Sequence, residues 1–377
     1  MDNQTSRERV LNACSHRKTE RVPVDFGGTC MSKCTSGFLD AMREILGFSL
    51  PPDRDEDGSW VDEKIQKYLG VDLRFVPYSP PLSVLKEIDH QAYQEALLSK
   101  AREKRHSEDI KTTSVSHNFP LAEKSYEEIK TIKPKLSKPP RHMDWLIKTA
   151  KEYRSAGYAT TYWVSGGFFE SGCYARGYDQ FAMDLLCEQD IVRTLFDVWM
   201  EEKLHQVETT VKPLAPYIDI FCFGDDFGLQ TGPFMSPEIF QELIAPYYKI
   251  HYGAVHAAAP ESLLFHHSCG SVYKLLDEII EMGVDILNPI QPNSYGMDPE
   301  GLRSKVGKRL AFHGGIDLQK LLPFGTPDEV RAETARRMKV LGEDGGYICA
   351  PAHSLPEDVP VENILAMFGK SCETINK

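Results

Sequence analysis

The chain has 377 residues, 41% of them hydrophobic and 26% charged, enough apolar material to bury a large core. Its formal net charge of −12 opposes a phosphate backbone and no basic stripe offsets it, so nucleic acid is not expected as a partner. No run of about 20 apolar residues could cross a bilayer, and no terminal stretch has the charged, apolar and small-residue order of a signal peptide, so the expectation is a cytoplasmic protein with no membrane partner.

Eight short apolar or β-branched runs read as strands in chain order: 22–26, 73–77, 159–164, 219–224, 263–267, 284–288, 310–313 and 347–351. Helical patterns follow them. Ser236-Pro237-Glu238 opens one with a cap and a first-turn proline, and Thr326-Pro327-Asp328-Glu329 supplies a capping box. The run 271–282 places Val272, Leu275, Leu276, Ile279 and Ile280 on one face and stops at Gly283. Eight alternations without a glycine-rich phosphate turn predict a single (β/α)8 TIM barrel over 1–377 rather than an open doubly wound sheet. Residues 82–145, rich in Lys, Glu, Asp and Pro and with only short apolar pieces such as 117–121, read as a charged insertion in the N-terminal half, either a lid or a solvated decoration.

Nine cysteines (Cys14, Cys30, Cys34, Cys173, Cys187, Cys222, Cys269, Cys349 and Cys372) fall at irregular spacings without a CxxC pair, which suits reduced thiols. In a barrel the chemistry sits at the C-terminal strand ends. Those ends offer Asp25; Tyr162, Ser165 and Glu170; Asp225 and Asp226; His267 and Cys269; Asn288 and Gln291; His313 and Asp317; and Cys349 and His353. Side chains two apart in an extended segment point the same way, so His267 and Cys269 can share a metal while His266 faces away. His353, just beyond the last strand, is the first choice for a third zinc ligand and Cys349 the second, leaving a position open to substrate.

Other residues keep two readings each. Asp225 and Asp226 are either acids acting on a leaving group or caps of loops and helices. Tyr162 either donates a hydrogen bond in catalysis or packs in the core, and Phe168 and Phe169 either wall a substrate pocket or pack likewise. Gln291 is placed to contact metal or substrate. His313 is either a substrate-facing group or a hydrogen-bonded barrel histidine.

The stretches "FHHSCGSVYKLLDEIIEMGVDILNPIQP", "FHGGID" and "GGYICAPAHSLPEDVPVENI", with "GDDFGLQTGPFMSPEIFQELIAPYYK" and "ERVPVDFGG", resemble the uroporphyrinogen decarboxylase superfamily, and within it the cobalamin-dependent methyltransferase branch. The resemblance implies Zn2+ held by a His-x-Cys and a residue of the last strand, a small methylated substrate, and cobalamin carried by a separate corrinoid protein. No D-x-H-x-x-G segment that would ligate cobalt occurs in this chain. Relatives read Pro-x-Cys-Gly near the last strand where this chain reads Pro351-Ala352-His353-Ser354, so His353 stands in the cysteine's place. A His, Cys, His set has one fewer thiolate and is the stronger Lewis acid, which points to demethylation, for instance of a methyl ether. Two alternatives stand beside it: a porphyrinogen decarboxylase, whose arginine-rich segment resembling "RQAGRY" is replaced here by "DFGGTCMSKCTSG", and a non-catalytic tetrapyrrole-binding barrel.

Overall fold

The computed structural model describes residues 4–49, 61–99 and 119–370. Its main sheet has seven strands, β1 (Leu73–Phe75), β2 (Ala159–Gly166), β3 (Ile220–Gly224), β4 (Leu263–His267), β5 (Ile286–Asn288), β6 (Ala311–Ile316) and β7 (Tyr347–Pro351), neighbours in that order and all parallel. The predicted first strand fills the eighth place as a single bridge. Val24 pairs with Cys349, the Asp25 N–H donates to the Cys349 carbonyl (2.9 Å), and the Cys349 N–H donates to the Pro23 carbonyl (2.9 Å). On its other side Asp72 N–H donates to the Val24 carbonyl at 3.0 Å, which closes the sheet into a (β/α)8 barrel. Pro23 has no N–H to offer a ladder, which shortens this strand.

The pleat sorts the side chains into two cores. Leu73, Ala159, Ile220, Cys222, Phe265, Ile286, Ala311 and Ile348 pack together inside the barrel with Val10 and Cys14. Their strand neighbours Phe221, Leu264, Leu287, Phe312, Tyr347 and Cys349 face the helix layer and join the larger outer core. Val10 and Cys14 belong to α1 (Ser6–Cys14), which Thr5 and Glu8 open with a capping box. Arg7 pairs with Asp219 (2.9 Å) and Arg9 with Asp72 (2.5 Å), and these two acids immediately precede β3 and β1. The helix therefore plugs the N-terminal end of the barrel, and the opposite end is the mouth.

Ser236 and Thr326 cap helices as predicted, Thr326 through a full capping box with Glu329. The predicted helix over 271–282 starts later, as a 3-10 turn Tyr273–Leu275 followed by Leu276–Glu281. Ser271 is drawn off by a bridge to Leu229, whose carbonyl takes its N–H at 2.8 Å. Of the stretch 82–145, expected from the sequence as an insertion, residues 100–118 lie outside the described residues, as does Cys372; every described cysteine is a free thiol. Arg176 of α2 (Phe168–Arg176) pairs with Asp184 at 2.6 Å and donates to the carbonyls of Leu121 (2.5 Å) and Lys124 (2.9 Å), holding residues 121–124 against this helix. Among the described residues no helix is long and apolar enough to cross a membrane.

Candidate metal centre

His267 ends β4 on the inward side, in phase with Phe265. His266 faces the helix layer, stacked on Phe227 with centroids 5.2 Å apart and its Nδ1 on the Tyr252 hydroxyl at 2.7 Å. The loop after β4 is clamped to the loops after β3 and β5. The Cys269 N–H donates to Asp226 Oδ1 (2.7 Å) and the Gly270 N–H to Gln291 Oε1 (2.9 Å). A Cβ on Gly228 would stand 2.5 Å from the Cys269 carbonyl oxygen, and one on Gly270, whose φ is +78°, would stand 2.4 Å from Gly228 backbone. Only glycines let the loops after β3 and β4 approach so closely, and that approach fixes Cys269 beside His267.

His353 completes the group from just beyond β7. Ligand atoms of His267, Cys269 and His353 all lie within 4.8 Å of one another; His267 Nε2 is 3.4 Å from Cys269 Sγ, and the two imidazoles stand 5.2 Å apart at 71°. Zinc bonds of about 2.1 Å to nitrogen and about 2.3 Å to sulfur put tetrahedral ligands about 3.5 Å apart. The imidazole and thiol already have that spacing, and small side-chain rotations bring in His353. These three residues fit a tetrahedral cation with its fourth place free.

The local electrostatics also suit a cation. Burial, then the carboxylates of Asp226 and Glu170, push the Cys269 thiol up to about 12. Burial, then Asp226, raises Glu170 as well, and burial, then His267, lowers His353 to about 4. His267 is lowered by burial. The site thus penalises its own anions, a penalty that a divalent ion would offset, and disfavours protonated imidazoles, leaving the uncharged ring that can offer a lone pair to a metal. Behind His267 a polar chain crosses the barrel. Its Nδ1 lies 2.6 Å from Asn288 Oδ1, Asn288 Nδ2 lies 2.8 Å from His313 Nδ1, and His313 Nε2 lies 2.9 Å from Asp25 Oδ2.

The other candidates divide sharply. Asp226 is at the centre, its Oδ1 3.6 Å from His267 Nε2 and its side chain 38% exposed. Asp225 turns away and is fully buried. Its two oxygens accept the N–H groups of Phe169 and Glu170, both at 2.7 Å, and the Tyr248 hydroxyl. It caps the N-terminus of α2 from a neighbouring strand, and burial pushes its carboxyl up to about 7. Phe168 and Phe169 do not wall a pocket. They lie in the first turn of α2, fully buried among Phe196, Tyr247 and Tyr248 and among Phe181, Phe227 and Phe234 respectively. Tyr162 packs in the outer core, edge to face with Tyr78. Cys349 shares the outward phase of Tyr347 and stands apart from the metal group. His313 is fully buried with both nitrogens engaged, so it does not meet substrate. Gln291 touches the site, its Nε2 3.4 Å from Cys269 Sγ.

Trp163 was not singled out by sequence reasoning. It packs against the barrel interior, and a Cβ on Gly224 would meet its indole at 2.5 Å and His267 Cβ at 3.4 Å. The pleat itself was the available signal, because residue 163 alternates with the outward Tyr162.

The family model for uroporphyrinogen decarboxylase (URO-D) matches residues 107–372. Curated uroporphyrinogen decarboxylases of Pelodictyon phaeoclathratiforme and Chlorobium limicola are each 27% identical over 135 residues, 34% of this chain. The chain spans only about a third of the length of these relatives, 36% of each. Among solved structures, a methyltransferase from Methanosarcina mazei aligns over 100% of both chains with a TM-score of 0.62 at 16% identity, a likeness of fold.

Proposed function

The chain belongs to the uroporphyrinogen decarboxylase family, and from that footing we propose that it is a zinc-containing methyltransferase exchanging a methyl group between a small methylated substrate and the cobalt of a separate corrinoid protein. The observation that carries this reading is the convergence of His267, Cys269 and His353 within 4.8 Å at the barrel mouth, beside Asp226. The likeness of fold to a methyltransferase from Methanosarcina mazei supports the coarser statement.

His267 and His353 would bind zinc through imidazole nitrogen and Cys269 through sulfur. Bound there, zinc supplies Lewis acidity toward a methylated leaving atom. With one thiolate and two neutral imidazoles the set carries more positive charge than a two-thiolate set, which favours an ether-like oxygen over a thiol substrate. Asp226 and the half-buried Glu170 flank the thiol and are placed to hold a proton near the departing atom. Trp163, partly buried against the inner core and across Gly224 from His267, would give the site an apolar side. The corrinoid protein would dock over this mouth.

A second reading, porphyrinogen decarboxylation, is favoured by the names of the curated relatives. It lacks a carboxylate clamp, since the stretch after Phe26 reads GGTCMSKCTSG with no arginine. Incubating the purified protein with reduced cob(I)alamin and a panel of methoxylated aromatics, betaines and methylamines separates the two. Methylation of the cobalamin by at least one donor is expected; carbon dioxide release from a porphyrinogen without methyl transfer would reverse the assignment.

A further inference from the structure

Asn288 and His313 sit side by side on β5 and β6, inward-facing and without measurable exposure, and Asp25 closes the row from the eighth strand position. We infer that Asp25, His313 and Asn288 are positioning residues that lock His267 into the tautomer carrying its proton on Nδ1, leaving Nε2 as a bare lone pair aimed at the metal position. This rests on the metal-binding reading above. It adds residues from three other strands to the control of that ligand.

Donors and acceptors along this row match one by one. Asp25 Oδ1 takes the Gly28 N–H (2.7 Å), and Oδ2 takes the hydroxyls of Thr29 (3.1 Å) and Ser32 (2.6 Å). Oxygens used in this way as acceptors require a donor from His313, so its Nε2 carries the proton directed at Oδ2, 2.9 Å away. A His313 ring that carries this one proton has Nδ1 as an acceptor, and Nδ1 meets the Asn288 amide nitrogen at 2.8 Å. That orients the amide so that its oxygen faces His267 Nδ1 at 2.6 Å, and an oxygen there demands Nδ1–H. By exclusion Nε2 is unprotonated, and it points toward Cys269 Sγ at 3.4 Å. Reversing the amide would put two protons on the buried His313 ring and a proton on His267 Nε2, which could then bind no metal. The order is set at Asp25, three hydrogen bonds away from the ligand, an extension of the second hydrogen bond that generally holds a ligating histidine.

The test reads the tautomer directly. In the metal-free protein with 15N-labelled histidine, long-range 15N–1H NMR should show His267 as the Nδ1–H form, its signals assigned by their absence from His267→Gln. His313→Phe keeps a planar ring but removes the acceptor, and Asn288→Leu removes the oxygen; both should give mixed tautomers and zinc affinity lower by roughly 10- to 100-fold in chelator competition. Asn288→Asp restores an oxygen toward His267 and should recover the Nδ1–H form. If His313→Phe fails to fold, the wild-type spectrum and the Asn288 pair still decide. A wild-type His267 in the Nε2–H or mixed form, or zinc affinity unchanged in both His313→Phe and Asn288→Leu, overturns the inference. A wild type with the stated tautomer but no zinc affinity overturns the proposed function and leaves the tautomer lock standing.

Discussion

Replacing Asp225 by alanine separates a structural carboxylate from its neighbour Asp226. The Asp225 side chain accepts two backbone N–H bonds at the start of α2, both 2.7 Å, and the Tyr248 hydroxyl, all around a fully buried carboxyl. Orphaning a buried donor costs about 1–3 kcal/mol, and losing a helix cap about 0.5–2 kcal/mol. Relief from burying the carboxyl offsets part of this, so Asp225→Ala should lose about 3 kcal/mol. Urea unfolding read by both far-UV circular dichroism and tryptophan fluorescence measures it. Asp225→Asn should fall in between, since its single oxygen serves one N–H while its amide nitrogen faces another donor. Asp226→Asn, with a partly exposed side chain at the metal group, should stay within about 0.5 kcal/mol of wild type and lose methyl transfer instead. An Asp225→Ala protein with an unchanged unfolding midpoint and abolished turnover would refute the reasoning.

Three further outcomes are expected. Lys203, buried, donates to Ser165 Oγ at 3.2 Å and to the Gly166 carbonyl, and burial pushes it down to about 8 from 10.5. Because the folded value lies below the unfolded one, the unfolded chain holds the extra proton between these limits. Wild type should therefore gain stability over Lys203→Met as pH rises from about 8 to about 10.5, on the order of 3 kcal/mol, and a difference independent of pH would contradict this. Cys349→Ser should keep its full metal content, because that thiol faces the outer core, and should lose about 1–3 kcal/mol for the buried hydroxyl; metal loss would return Cys349 to the ligand set. Gly224→Ala should shift tryptophan emission and raise KM while keeping zinc, since the new Cβ would meet the Trp163 indole at 2.5 Å; unchanged emission and KM would remove Trp163 from the site wall.

The barrel was legible because its strand runs and helix caps are local signals, and the side-chain phase along β4 separates His267 from His266 in the sequence itself. The same alternation at 162–163 and 347–349 points Tyr162 and Cys349 outward and Trp163 inward, a distinction that residue type alone does not carry. Asp225 and Asp226 could not be told apart because regular pleating ends at Gly224. Phe168 and Phe169 follow Gly166 and Gly167, and the sequence did not reveal that a helix starts at once and turns both rings into the core. The Asp25–His313–Asn288 chain is not legible in the sequence because its members are scattered along it and each resembles an ordinary polar strand end. Their connection exists only once the barrel closes between 22–26 and β7.

The metal content of purified wild type, measured beside Cys269→Ser and His353→Ala by mass spectrometry and compared with methyl transfer by the same samples, tests the account most directly. Roughly one zinc per wild-type chain is expected, with loss of both zinc and transfer in each folded variant. A zinc-free wild type that still transfers methyl groups, or variants that retain stoichiometric zinc, would contradict it.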